Sequence, residues 1–183
     1  MAQVKGKFIT MACSLLEFKP TVKADALQRV KDITGKEWDQ LEPEGWYDTR
    51  ALGAVFEATE EHQDPLMAWA AIKVMGRRVY PTIDKTVGLP EHLKTPLDFI
   101  KWETGNFLSD HRGSDLVPRK LIQTDPGHVV VEATSPGYDC IVMEGVYEGI
   151  LEICGIKDYK VTQTRCVKKG DPVCVYDVKW KVE

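Results

Sequence analysis

The sequence predicts one α+β domain of 183 residues, with a helical part over 1–112 and a sheet-containing part over 113–183. Two observations carry this prediction. Apolar residues recur at helical spacing in the first part, and short β-branched segments separated by turn signals fill the second. The order of helices, strand pair, long helix and hairpin is typical of a helical N-terminal half packed on a C-terminal antiparallel sheet, with the long helix between its two strand pairs.

The N-terminal part contains a series of helical patterns that are interrupted by glycine and proline. Glycine ends a helix readily, and proline suits the first turn of the next one. An irregular stretch with several aromatic residues separates the second pattern from the third. Helices are predicted around 8–16, around 26–33 with a stop at Gly35, over Thr49–Glu61, from Pro65 to Gly76 and from Thr95 to Leu108, with at most one short helix at 82–87.

In the C-terminal part the pattern changes to short β-branched segments. The turn signal Asp125-Pro126-Gly127 separates two of them, which predicts an antiparallel pair. A long apolar helix follows and ends at Gly155, and a turn around Gly170 joins the strands of a final hairpin. The predicted bounds are 116–122 and 128–133 for the strand pair, 139–154 for the helix, and 157–168 and 173–182 for the hairpin.

Composition and charge argue against several classes of function. Apolar residues make up 43% of the chain and the net charge is −4, which favours neither disorder nor binding to nucleic acid or an anionic membrane. Glu17 and Lys19 interrupt the apolar N-terminal stretch, so it is too short and too polar for a signal peptide or a membrane span. We therefore expect a cytoplasmic protein whose partner is a small molecule or another protein. Its five cysteines are expected to be thiols, metal ligands or redox groups.

Three of these cysteines can converge. Cys166 and Cys174 lie symmetrically about Gly170, so a hairpin would bring their Cβ atoms to roughly 4.5–5.5 Å of each other. Cys140 lies at the start of the long helix, where the helix dipole favours the thiolate. Three thiolates suit zinc, with water, Asp139, Gln163, Asp171 or a histidine as the fourth ligand. The alternative is that all three are small buried hydrophobic residues.

Three C-terminal segments resemble the 4-vinyl reductase domain family. They are Gly137-Tyr138-Asp139-Cys140, the helix that contains Gly145 and Gly149, and the hairpin 166–174 that leads to Trp180. The resemblance implies a small-molecule-binding α+β module. It also implies a relation by fold to haem nitric oxide/oxygen sensors and to trafficking-complex subunits.

The resemblance also implies a ligand set for the metal. Phenol-sensing members of this family hold zinc with three cysteines and one glutamate, and the cysteine positions match Cys140, Cys166 and Cys174. The glutamate position, three residues before the second cysteine, is occupied here by Gln163, whose neutral amide is a poor zinc ligand. Either another group completes the site, or zinc is weak or absent. A structural role, joining the hairpin to the helix, is expected of the site because nothing nearby supplies an obvious catalytic base.

The haem sensors that share this fold ligate iron through a helical histidine and clamp the haem propionates with a Tyr-x-Ser-x-Arg motif. His111 follows an apolar helix at about the corresponding place, but the nearest stretch to the clamp runs from Ala133 to Gly137 and keeps only Ser135. This departure argues against haem. It favours the interpretation of His111 as an ordinary loop histidine beside Asp110.

An apolar ligand pocket is expected between the helices and the sheet, where such pockets often form. Gly145 and Gly149 leave a bare stripe on the long helix that suits either close packing of the helix onto the sheet or the approach of a flat ligand. The candidate pocket residues are Trp69, Phe99, Trp102, Gly145 and Gly149.

No enzyme signature appears: there is no phosphate-binding glycine loop, Gly-x-Ser-x-Gly motif or dinucleotide fingerprint. The sequence therefore favours a small-molecule-binding or sensory domain for a hydrophobic or aromatic compound. No binding to nucleic acid and no membrane insertion are expected, and the chain is expected to form a homodimer or to signal to a separate partner. The alternatives are a tetrapyrrole vinyl-group reductase or accessory enzyme, a haem-based gas sensor, and a scaffold or trafficking protein.

Overall fold

The computed structural model describes residues 1–16, 20–114 and 116–182. Glu17 and Lys19, on which the expectation against a signal peptide depends, lie outside the described residues. The chain has the predicted α+β architecture, with α-helices and two antiparallel sheets. It divides into two compact units: the first comprises Met1–Met75, Ser109–Leu116 and Ser135–Asp139, and the second comprises Gly76–Leu108, Val117–Thr134 and Cys140–Glu183.

The first unit combines helices with a small sheet. Its core is apolar, and Ile9, Val22 and Leu52 are among its buried side chains. The third helix begins where the Asp48 carboxylate accepts a hydrogen bond from the backbone N–H of Arg50 at 2.9 Å, which caps the helix. The elements are β1 (Gln3–Lys5), α1 (Gly6–Ser14), α2 (Pro20–Thr34), β2 (Trp46–Asp48), α3 (Thr49–Glu61) and β3 (His111–Arg112), and β1 lies antiparallel between β2 and β3.

The second unit contains the larger sheet and the long central helix. The helix is buried along most of its length and contacts the last two strands. Inward-facing residues alternate along the strands, as at Val129 and Val131, which are fully buried. Two helices belong to it in part: α4 (Pro65–Thr86) from Gly76 onward and α5 (Pro96–Asp110) as far as Leu108. The other elements are β4 (Lys120–Asp125), β5 (His128–Glu132), α6 (Cys140–Ile153), β6 (Tyr159–Arg165) and β7 (Val175–Trp180).

The four-stranded sheet has the order β4-β5-β7-β6 with every neighbouring pair antiparallel. Both predicted strand pairs are therefore confirmed, and they join through β5 and β7. Gly127 and Gly170 have positive φ angles of 73° and 92° in the two connecting turns, a conformation that suits glycine. The long helix lies between the two strand pairs in the chain, as predicted.

Two details differ from the prediction. The fourth helix does not stop at Gly76 but continues to Thr86, so it includes 82–86 of the short helix expected at 82–87. A glycine weakens a helix by about 1 kcal/mol but ends it only when the chain leaves the helical conformation. The helical N-terminal part also contains strands, which are only two or three residues long and so carry no readable alternation. Among the described residues, no helix combines the length and apolar character that crossing a membrane requires.

Candidate metal centre

The structure brings the three predicted cysteines together in the second unit. Cys140 is the first residue of α6, and Cys166 and Cys174 flank the turn between β6 and β7. The three Sγ atoms all lie within 4.8 Å of one another, and Cys140 Sγ is 3.3 Å from Cys174 Sγ. All three side chains are buried. This spacing is compatible with one shared metal ion.

The turn of the hairpin places two of the thiols. The last paired residues of the two strands are Arg165 and Val175, so Cys166 and Cys174 lie just beyond the sheet. A single 3₁₀ turn over Val167–Lys169 then reverses the chain. The backbone N–H of Cys166 donates to Asp171 Oδ2 at 2.8 Å, which fixes the entry to this turn.

The close contact between two sulfurs separates the pKa values of their thiols. The Cys140 and Cys174 thiols share a hydrogen bond, and this contact lowers the pKa of Cys174 to about 6 despite its burial. The same hydrogen bond, together with burial, raises the pKa of Cys140. The Cys174 sulfur also accepts from the backbone N–H of Val167 at 3.5 Å. Cys174 is therefore the sulfur that ionises first, and the thiolate is the form that binds metal.

A hydrogen-bond network fixes the head of α6 to the hairpin. Tyr176 Oη donates to the carbonyl oxygen of Cys140 at 2.7 Å, and Gln163 Nε2 donates to Tyr176 Oη at 3.2 Å. On the other side, the backbone N–H of Cys174 donates to Thr134 Oγ1 at 2.7 Å. No sequence pattern marks Tyr176 or Thr134 as part of this network. A strand tyrosine has the pattern of an ordinary core residue, and a single loop threonine belongs to no motif.

The predicted pocket residues lie in different surroundings. Trp69 exposes 44% of its surface, and the ammonium of Lys73 lies 5.1 Å from the ring centroid. In the second unit, the Tyr80 ring packs edge-on against Phe99 and Trp102, at centroid distances of 5.9 and 6.4 Å. These two aromatic residues therefore share a cluster. Their role in binding a ligand stays a prediction.

The glycine stripe of α6 serves helix packing in this structure. A Cβ atom added at Gly149 would lie 2.3 Å from the carbonyl oxygen of Arg77 on α4, and one added at Gly76 would lie 2.1 Å from that of Val142. Arg77 Nη2 also donates to Glu148 Oε2 at 2.7 Å. At these two positions the backbones of α4 and α6 are in direct contact, so the neighbour that comes close at Gly149 is another helix and not the sheet. Gly145 is buried on the same helix.

His111 was expected to be a loop histidine, but it lies in a strand. It forms the start of β3, pairs with Val4 of β1 and exposes only 3% of its surface. Its Nε2 atom is 3.1 Å from Tyr138 Oη, and its ring packs against those of Phe8 and Tyr138 at centroid distances of 5.3 and 5.6 Å. The interpretation as a loop histidine is wrong because pairing with β1 draws this residue into the interior of the first unit.

Comparison with solved structures finds H-NOX proteins along the whole chain. A point mutant of T. tengcongensis H-NOX matches with a TM-score of 0.68 at 16% identity, over 97% of this chain and 98% of that one. Fe(II) unliganded H-NOX from K. algicida gives 0.67 at 10%, over 98% and 97%. A structure described in terms of haem distortion in the H-NOX family gives 0.68 at 15%, over 97% and 95%. No protein-family model and no curated protein matches the sequence.

These neighbours confirm the predicted relation by fold to haem sensors, while the narrower resemblance to 4-vinyl reductase domains stays a hypothesis. They also overturn the expectation of zinc in place of haem. The solved structures that share this fold are described as Fe(II) or haem proteins, and they give zinc no support.

The residues of this chain supply part of what haem would need. His111 offers a buried imidazole. The positions of the propionate clamp hold Ala133 and Gly137 in place of tyrosine and arginine, and the Thr134 hydroxyl between them accepts from the backbone of Cys174. A haem held by that clamp does not fit these residues. A haem in this chain would depend on His111 and on other anchors.

Proposed function

We propose that this chain is a small-molecule-binding sensory domain with the H-NOX fold. The full-length likeness to the H-NOX structures, at TM-scores of 0.67–0.68 over 95% or more of both chains, is the observation that carries the proposal. Two of these neighbours are described with Fe(II) or haem, which supports a small ligand for this chain as well. A hydrophobic or aromatic compound suits the cluster of Tyr80, Phe99 and Trp102.

The signal from this domain passes to a second copy of the chain or to a separate partner. A ligand can shift a conformational equilibrium only as far as its affinities for the two states differ. The direct contact of α4 with α6 at Gly76 and Gly149 gives a tightly packed pair of helices that a ligand could bias. Analytical ultracentrifugation with and without an aromatic ligand such as naphthalene tests the homodimer, and an unchanged monomer in both samples would exclude it.

We further propose that Cys140, Cys166 and Cys174 hold one soft metal ion. The support is the mutual approach of three buried sulfurs, one of them with a pKa of about 6. Such an ion would join the head of α6 to the β6–β7 turn. Because an ion that binds only the folded chain stabilises it, metal affinity adds directly to the free energy of unfolding.

Replacing Cys174 by serine tests the metal centre. The variant should lose its metal, measured by elemental analysis, and its melting temperature should fall by about 5–10 °C, as expected when an ion present at 100 times its Kd is lost. Chelator should lower the melting temperature of the wild type but leave the variant unchanged. Cys154→Ser, on a half-buried cysteine outside the cluster, is the matched control and should keep the metal. Equal metal content in wild type and Cys174→Ser would refute the site.

A haem-based gas sensor is the second candidate, favoured by the neighbours that are described as haem or Fe(II) proteins. Haem added to the purified protein should then give a Soret band, and His111→Ala should abolish it. His128→Ala, on a strand of the other unit, should keep the band. If the wild type takes up no haem, the gas-sensor candidate is refuted and the first proposal, a sensor of another small molecule, remains.

A further inference from the structure

The cysteine centre has no hard donor beside it. Over the described residues, no histidine or carboxylate joins the three sulfurs as a fourth ligand. Two carboxylates near them in sequence are bonded to backbone N–H groups. Asp171 Oδ2 accepts from Cys166, and Glu144 Oε1 accepts from Gln163 at 2.8 Å. Of the protein carboxylates and histidines expected at the fourth position, none joins the three sulfurs in a cluster among the described residues.

Gln163 has a different task at the position where the family resemblance places a metal-binding glutamate. Its Nε2 atom donates to Tyr176 Oη, which in turn donates to the carbonyl oxygen of Cys140. The amide thus supports the residue that carries the first sulfur. Gln163 is a positioning residue for the centre and not one of its ligands.

Burial also limits water as a fourth ligand. Cys140, Cys166 and Cys174 expose 9%, 4% and 2% of their surfaces. A catalytic or hydrated zinc site keeps an open position that solvent reaches, and a structural zinc site has four protein ligands. The arrangement in this chain matches neither type.

Three thiolates without a hard donor suit a soft ion of low coordination number. Thiolate ligands suit both monovalent copper and zinc, but structural zinc takes four ligands, so a set of three sulfurs favours copper. Three sulfurs in a plane around an ion at about 2.3 Å lie about 4.0 Å apart. The observed separations bracket this spacing, because one pair is 3.3 Å apart and all three lie within 4.8 Å.

We propose that the centre binds one monovalent copper ion through the three cysteine sulfurs alone and prefers it to zinc. This inference rests on the proposed metal centre and names its ion. Binding would displace the remaining thiol protons and involve no redox step. The missing fourth ligand is what sets this chain apart from a four-coordinate zinc site.

The test loads the full chain with Cu(I) under anaerobic conditions and, separately, with Zn(II). X-ray absorption of the copper form should show three sulfur scatterers and no oxygen or nitrogen, at one copper per chain. Gln163→Glu restores a carboxylate at the fourth position and should raise the affinity for zinc at least tenfold without changing the copper stoichiometry. Gln123→Glu, on the exposed strand β4, is the matched control and should change neither.

The outcomes separate the two proposals. Zinc binding that is as tight in the wild type as in Gln163→Glu, or a light-atom scatterer on copper, would overturn the three-coordinate centre while leaving a metal site in place. A wild type that binds neither ion would overturn the metal centre itself. Gln163→Met loses the same donor to Tyr176 Oη without gaining a carboxylate, and it should bind zinc no more tightly than the wild type, so a gain seen only in Gln163→Glu is assigned to the carboxylate.

Discussion

The two sheets of this protein are held by different interactions. On the small sheet of the first unit, Lys5 and Lys7 both pair with Glu44 and Asp110, at distances of 2.7–3.4 Å. Glu44 exposes 68% of its side chain, so water and salt reach this network. In the second unit, the sulfur cluster and the backbone contact at Gly149 join buried groups.

The charge network and the packed contact should contribute to stability in different ways. Exposed ion pairs contribute about 0–1 kcal/mol each and weaken as salt is added. Close-packed backbones respond to a single added methyl group but not to salt. The first unit should therefore be sensitive to solution conditions, and the second to changes in shape.

The largest effect is expected at the contact of α4 with α6. Gly149→Ala puts a Cβ atom 2.3 Å from the carbonyl oxygen of Arg77, so the helices must separate. We expect a loss of about 1–3 kcal/mol in the free energy of unfolding, measured by urea denaturation. The matched control is Gly105→Ala on α5, where an added Cβ meets nothing within 4 Å. It should stabilise the protein by about 0.5–1 kcal/mol, since alanine favours the helix. Equal midpoints for the two variants would refute the packing argument.

The same contact shows where sequence information ends. The glycine stripe correctly predicted that another group approaches α6 closely. It could not predict which group, because a helix backbone and a flat ligand both require a surface without side chains. The bounds Thr49–Glu61 of α3 were predicted to the residue because the helical pattern is local. The extension of α4 past Gly76 was not predicted. A glycine is needed there because the backbone of α6 comes close at Val142, and a contact with another helix leaves no signal in the local sequence.

The cysteine centre and the small sheet mark the two extremes of what was predictable. The centre was found because each thiol belongs to an element with a strong local pattern, a helix start or a hairpin turn. The small sheet was missed because β1 and β3 are short and pair across a long separation, as in the hydrogen bond from Arg112 Nε to Gln3 Oε1 at 2.7 Å. Such pairing leaves no periodicity in the sequence, and it also buries His111.

A smaller effect is expected when the charge network of the first unit is cut. Asp110→Asn removes the carboxylate that pairs with Lys5 at 3.0 Å and with Lys7 at 2.8 Å. The loss should be about 0.5–1 kcal/mol at low ionic strength. It should shrink in 1 M NaCl, where the Debye length is about 3 Å, whereas the loss in Gly149→Ala should stay the same. A salt-independent loss at Asp110 would place its role in packing and remove the contrast between the units.

The smallest effect is expected at the other end of α5, where a charge is held by hydrogen bonds instead of ion pairs. The Thr95 hydroxyl donates to Asp98 Oδ2 at 2.8 Å and accepts from the backbone N–H of Asp98 at 3.2 Å, which caps the helix. This contact lowers the pKa of Asp98 below its usual 3.8. Because the pKa is lower in the folded state, the resulting stability is present above pH 3.8 and is lost as the pH falls through the folded-state pKa.

Asp98→Asn should therefore cost about 0.5 kcal/mol at pH 7, and the difference from the wild type should vanish in acid below the folded-state pKa. Thr95→Ala should weaken the same pH dependence, since it removes the donor that lowers the pKa of Asp98. Both effects should persist better in salt than that of Asp110→Asn, because a short hydrogen bond is screened less than an exposed ion pair. If 1 M NaCl removes the stability losses of Asp98→Asn and Asp110→Asn to the same extent, the Asp98 cap acts only through the helix dipole. The two ends of α5 would then carry the same kind of electrostatic interaction.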